Sequence, residues 1–286
     1  MGAHIPETLR KALEAGGVIP YLGPGVLALA GEDCPLPASP EALVGRLVAK
    51  AAVPHKIRGN LTAAAQFIEN FKHRKTVTAA MAEAFGPEVD PTALHRWLAS
   101  LPILPLIVHA WYDDLPQRAL AGRTDWGVAQ AVSQADHFGA WTHYFDSDGA
   151  PETPESGTPG DGWRTLLYQP LGSVWPAANF LVSDSDFVEV LTEIDIQTPI
   201  PERVQQLRSG RGFLFLGCRF ANQLERIFAR QIIKRSSGRH WAVLPQEPTR
   251  NELRFLNDHN VQRIETPLAE FVSALTGAGA ELQPAD

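Results

Sequence analysis

The spacing of apolar residues divides the chain into short buried runs and amphipathic stretches. Leu9, Ala12 and Leu13 share one face of a helix expected over residues 8–15, and Gly16-Gly17 stop it. Residues 18–22 (VIPYL) then read as a buried strand that ends in the turn Gly23-Pro24-Gly25. From 36 to 100 every apolar pattern is helical. Ser39-Pro40-Glu41 is a helix start followed by the stripe Leu43, Val44, Leu47 and Val48. Leu61, Ala64, Ala65 and Ile68 repeat the pattern, as do Val77, Met81 and Phe85, and then Leu94, Trp97, Leu98 and Leu101. This stretch is expected to be a helical insertion or cap.

Alternation resumes with an apolar strand at 104–110 and a helix starting at Asp114-Leu115-Pro116. Residues 126–146 fit strand, short helix, strand. Residues 163–168 and 179–182 look like strands, and Ser183 with Asp186 forms a capping box. Strands at 212–216, 240–244 and 261–264 are separated by helices at 222–234 and from Thr249 onward, and a helix at 268–275 closes the pattern. Buried strands alternating with helices predict an α/β fold. The sheet is expected to be doubly wound, mostly parallel and Rossmann-like, in a single domain over 1–286. Residues 149–162 (GAPETPESGTPGDG) predict an exposed acidic loop rich in Pro and Gly.

Composition narrows the function classes. No apolar run approaches the roughly 20 residues of a membrane span. The opening MGAHIPETLRKALEAGG lacks a signal-peptide core, and Pro6 stands where a myristoylation signal wants Ser or Thr, so a cytoplasmic location is expected. Cys34 and Cys218 are the only two cysteines, too few for a four-cysteine zinc site. With a net charge of −7 and one short basic cluster (Lys234, Arg235, Arg239), nucleic acid is not the expected partner. His137 and His143 with Asp136, Asp146 and Asp148 fit no metal-ligand spacing. Ser173 lacks a nucleophile elbow. Trp126, Trp141, Trp163 and Trp175 are expected to gather around the 149–162 loop, as buried aromatics or as a partner surface.

Four segments place suggestive chemistry at strand ends, where open parallel sheets bind ligands: 18–29 (VIPYLGPGVLAL), 105–120 (PLIVHAWYDDLPQRAL), 166–187 (LLYQPLGSVWPAANFLVSDSDF) and 213–220 (FLFLGCRF). In this order, over roughly residues 5–265, they resemble the sirtuin-like family, in particular its zinc-free bacterial branch. The resemblance implies a dinucleotide cleft for NAD or ADP-ribose, bordered by Gly23, Gly25, Val26, Asp113, Gly172 and Gly217. The departures fall where the family does chemistry. Pro24 and Leu27 replace a small residue and a serine. His109 and Ala110 replace threonines, Trp111 an asparagine and Leu171 a histidine, while Asn222 sits near a usual aspartate. Leucine neither accepts a proton nor donates a hydrogen bond, and tryptophan offers one donor and no acceptor.

The resemblance therefore implies a catalytically degenerate protein that acts by binding another protein. Sirtuin-like proteins of this size also occur among nitrogen-fixation genes, so the resemblance permits a nitrogenase component as such a partner. The rival expectation is an NAD-hydrolysing or ADP-ribose-handling enzyme with His109 as base and Asp113 as its partner.

Overall fold

The computed structural model describes residues 4–152, 159–196 and 200–277. Part of the acidic stretch, residues 153–158, thus lies outside the described residues.

The chain opens with α1 (His4–Glu14) and β1 (Val18–Leu22), then a 3-10 turn over Pro24–Ala30. Four helices follow: α2 (Pro40–Lys50), α3 (Leu61–Lys72), α4 (Arg74–Phe85) and α5 (Ala93–Ser100). Next come β2 (Leu106–His109), α6 (Leu115–Leu120), β3 (Trp126–Ala131), β4 (Thr142–Asp146) and β5 (Thr165–Gln169). A short hairpin, β6 (Gly172–Ser173) and β7 (Asn179–Phe180), leads to α7 (Asp184–Ile196) and α8 (Glu202–Arg208). The chain then runs through β8 (Gly212–Leu216), α9 (Gln223–Ile233), β9 (His240–Val243), α10 (Arg250–Asp258), β10 (Val261–Ile264) and α11 (Leu268–Thr276).

Eight strands form one sheet in the order β10-β9-β8-β1-β2-β5-β3-β4, parallel except for the β3–β4 pair. That pair is antiparallel because a tight connection through 132–141, without the expected helix, returns the chain directly. Helices cover both faces. Leu9 and Leu13 of α1, Leu94 and Leu98 of α5, and Phe271 of α11 pack on one; Val204 of α8, Ile232 of α9 and Phe255 of α10 pack on the other. Burying each of these side chains contributes about 1.5–3 kcal/mol. The apolar runs of β1, β5 and β8 are buried at every position, as coverage on both faces requires.

The helical stretch at 36–100 divides. α2, α3 and α4 form their own core with Trp111, Tyr112 and Phe180, whereas α5 lies on the sheet with α1 and α11. The cap is therefore α2–α4. Arg74, 12% exposed, ties it down: it donates to Asp186 at 2.8 Å, to Asp136 at 3.1 Å and to Glu69 at 3.2 Å, and also to the Phe180 carbonyl. The four tryptophans do not form one cluster, although Trp175 lies against Gly149 and Trp163 against Gly160 at the described ends of the 149–162 stretch. Trp126 and Trp175 face each other at 6.3 Å on one side of the sheet, while Trp163 packs on the other and Trp141 against Leu181 and Val190.

Candidate functional site

β1 is the point from which the chain winds both ways, through β2 on one side and β8 on the other. Ligands of open α/β sheets bind at such a switch point, beyond the carboxyl ends of the strands. A cleft of about 770 Å³ opens there. Its sides are the turns after β1 and β8, the starts of α2, α3 and α9, and the β2–α6 connection at Ala110, Trp111 and Tyr112. That volume suits a drug- or nucleotide-sized ligand.

The glycines of the two strand-end turns serve each other first. The Gly23 amide donates to the Leu216 carbonyl at 2.9 Å, Gly25 to Gly217 at 2.9 Å, and Val26 to Gly23 at 3.1 Å; Pro24 has no amide to give. A Cβ on Gly23 would meet the Cys218 sulfur at 2.7 Å, and one on Gly25 the Gly217 carbonyl at 2.9 Å. Gly217 has φ of +64°, and its Cβ would reach the Val26 nitrogen at 2.3 Å. The Gly23 and Gly25 amides are thus spent on joining the ends of β1 and β8, and the Val26 amide closes the first turn on itself.

Donors come instead from the helix starts. The first amides of a helix have no partner within it. Glu41 of α2, Leu61 and Thr62 of α3, and Gln223 and Leu224 of α9 all line the cleft. Ser39, Asn60 and Asn222 cap these helices, each accepting one deeper amide. The macrodipoles favour an anion there, but two starts already carry a carboxylate in the first turn, Glu41 and Glu225; α3 has none. Arg219, the one Lys or Arg on the cleft among the described residues, is held by buried Glu252 through two contacts of 3.0 Å.

Glu225 was not anticipated from the sequence. It closes a capping box with Asn222, accepting that residue's amide at 3.3 Å. Burial pushes its carboxyl up to about 7, with Glu252 and Glu41 adding to the rise. The only signal for it was the Asn-x-x-Glu spacing after β8. Burial likewise raises the Cys218 thiol, helped by Glu225, which disfavours its thiolate form.

The residues taken from the resemblance scatter. Gly23, Gly25 and Gly217 border the cleft. Val26 instead points into the core, 3% exposed. Gly172 holds the β6–β7 hairpin, at φ of +78° with the Asn179 carbonyl 2.1 Å from where a Cβ would sit. His109 and Asp113 contact each other at 3.1 Å but are 2% and 1% exposed and do not line the cleft. Burial pushes the Asp113 carboxyl up, yet His109, His95 and the Leu115 amide together hold the group below the usual range. Strand alternation explains the misplacement: His109 lies on the same face as Ile107, toward α5 and α6, while the cleft opens past Ala110.

Trp111 and Leu171 both lie on the cleft wall, yet neither plugs the cleft. The Trp111 indole donates to the Pro37 carbonyl at 2.8 Å, so it anchors the cap. Leu171 accepts the Leu181 amide at 2.9 Å through its backbone and presents only an apolar side chain. Among the described residues no group of three or more His, Cys, Asp or Glu side chains is placed to hold a metal ion.

A doubly wound sheet with a cleft at its switch point defines the Rossmann-like class of α/β protein. Within it, residues 105–264 match the SIR2-like domain, over half of the chain, and the protein belongs to that NAD-related family. The match begins after β1 and the cap. No curated protein matches the chain.

Proposed function

We propose that this protein is a catalytically degenerate SIR2-like factor that retains an open nucleotide cleft and acts through a protein partner. The observation that carries the reading is the separation of His109 and Asp113 from the cleft. The wall facing the ligand offers Leu171 and the cap-anchored Trp111 where the family's chemistry needs a base and a hydrogen-bonding amide. A positioned general base contributes on the order of 10²–10⁴-fold in rate, and the wall at these two positions supplies none.

The cleft fits NAD or ADP-ribose by volume but not by the glycine turn, whose amides are taken. The start of α3, free of acid in its first turn, is where this chain would hold a phosphate, and the aromatic rings of Tyr21, Phe187 and Phe220 supply a wall for a flat ring. A nitrogenase component is the partner that the family resemblance suggests. Nucleotide occupancy under the α2–α4 cap would alter the surface that such a partner meets.

Calorimetric titration with NAD, with free nicotinamide measured in the same samples, tests the reading. A saturable heat with no nicotinamide release is the expected result. Sustained release would overturn catalytic silence, and a flat trace would overturn nucleotide retention.

A further inference from the structure

Behind the cleft wall, on the face away from α9, polar side chains form a closed seam across the sheet. Gln130 of β3 pairs in register with Gln169 of β5. One residue past the Val108–Tyr168 pairing, Gln169 comes level with His109 of β2. Alternation sends all three side chains to the face that Val128, Leu167 and Ile107 share. Hydrogen bonds draw further groups in. Gln130 Nε2 donates to the Ser173 carbonyl at 3.2 Å, the Ser173 hydroxyl to the Asp113 carbonyl at 3.1 Å, and Gln117 Nε2 to the Trp175 carbonyl at 3.2 Å. Gln130, Gln169 and Ser173 are fully buried, and His109, Asp113 and Gln117 are at most 4% exposed.

Five side-chain atoms of this seam have no hydrogen-bond partner among the described residues: Oε1 of Gln117, Oε1 of Gln130, both amide atoms of Gln169, and Nδ1 of His109. Buried polar groups are nearly always satisfied, and five orphans together would cost a large part of a protein's stability. The identity of the missing partner follows from the chemistry. The amides of Gln117 and Gln130 are fixed in orientation because their nitrogens donate to backbone carbonyls, so their oxygens are the acceptors left without a partner. His109 Nε2 faces the Asp113 carboxylate at 3.1 Å, which leaves Nδ1 as the ring atom without a partner. Gln169 adds one oxygen and one NH₂. Acceptors therefore dominate, beside a buried carboxylate.

We propose that this seam is a binding site for a small hydrogen-bond-donating guest, water or an ammonium ion, held between His109, Gln169, Gln130 and Gln117. Crystal structures of the full chain grown with and without ammonium salts test it, together with thermal unfolding in ammonium chloride and in sodium chloride at equal ionic strength. The expected result is density at hydrogen-bond distance from His109 Nδ1 and at least two of the glutamine oxygens. A saturable rise in Tm with ammonium and not with sodium assigns the cation; density with equal Tm in both salts assigns water. Glutamines turned onto protein partners with no density between them would overturn the site. Gln169→Met reads the same question in solution. It lowers Tm when a guest depends on the amide, and raises or preserves Tm when the amide is an unsatisfied pair. If that variant fails to fold, the crystal structures decide alone.

Discussion

Replacing Glu225 with glutamine should make the protein more stable at high pH and leave it unchanged at low pH. The carboxyl sits partly buried at the cleft, and burial with the charges of Glu252 and Glu41 moves it from its ordinary 4.5 to about 7. Because its folded value lies above the unfolded one, the native state binds the proton more tightly. The associated stability is complete below about 4.5 and is lost as pH rises through about 7. At 1.36 kcal/mol per pH unit the interval corresponds to about 3 kcal/mol, and screening by cleft solvent reduces it to about 2 kcal/mol. Glutamine serves the capping box as well as glutamate does, so Glu225→Gln removes the charge while keeping the helix start. Urea unfolding of both proteins followed by far-UV circular dichroism from pH 4 to 8.5 measures the difference, and subtraction cancels the other titrating groups. The two should coincide near pH 4 and diverge by about 2 kcal/mol by pH 8, with m unchanged. A difference that is constant with pH, or one that favours the wild type at pH 8, would refute the electrostatic account.

Other perturbations probe the frame around the cleft. Arg74→Met strips the cation from buried Asp186, which keeps its bonds to Ser133 and to the Val182 and Ser183 amides, so the loss should be about 3 kcal/mol in urea unfolding. Asp186→Asn in the same background should then cost little, and an additive double-mutant cycle would contradict the coupling. Gly217→Ala forces a Cβ into a left-handed position against the Val26 amide; it should cost at least about 2 kcal/mol with no ligand present. Unchanged stability there would return the glycine to a ligand-contact role.

The sequence carried the order of elements because local rules act within a few residues. The Ser39-Pro40 helix start, the helix from Thr249 and the buried runs of β1 and β8 are where their patterns place them. The helix α8 escaped notice because its seven residues lie behind a proline with only two buried positions. The candidate site was legible in outline, through Gly23, Gly25 and Gly217 at two strand ends. Its chemistry was not. A period of two says that His109 shares a face with Ile107, but only the packing of α5 and α6 makes that face the closed one. Likewise, the pairing of β1 with β8 consumed the Gly23 and Gly25 amides, and the register of β2, β5 and β3 aligned His109, Gln169 and Gln130. Local sequence determined which segments are strands, helices and turns, since those choices depend on neighbours along the chain. Tertiary structure decided which side chains meet solvent, which amides remain free and which carboxyl is forced toward neutrality, since each depends on groups brought together from distant parts of the chain.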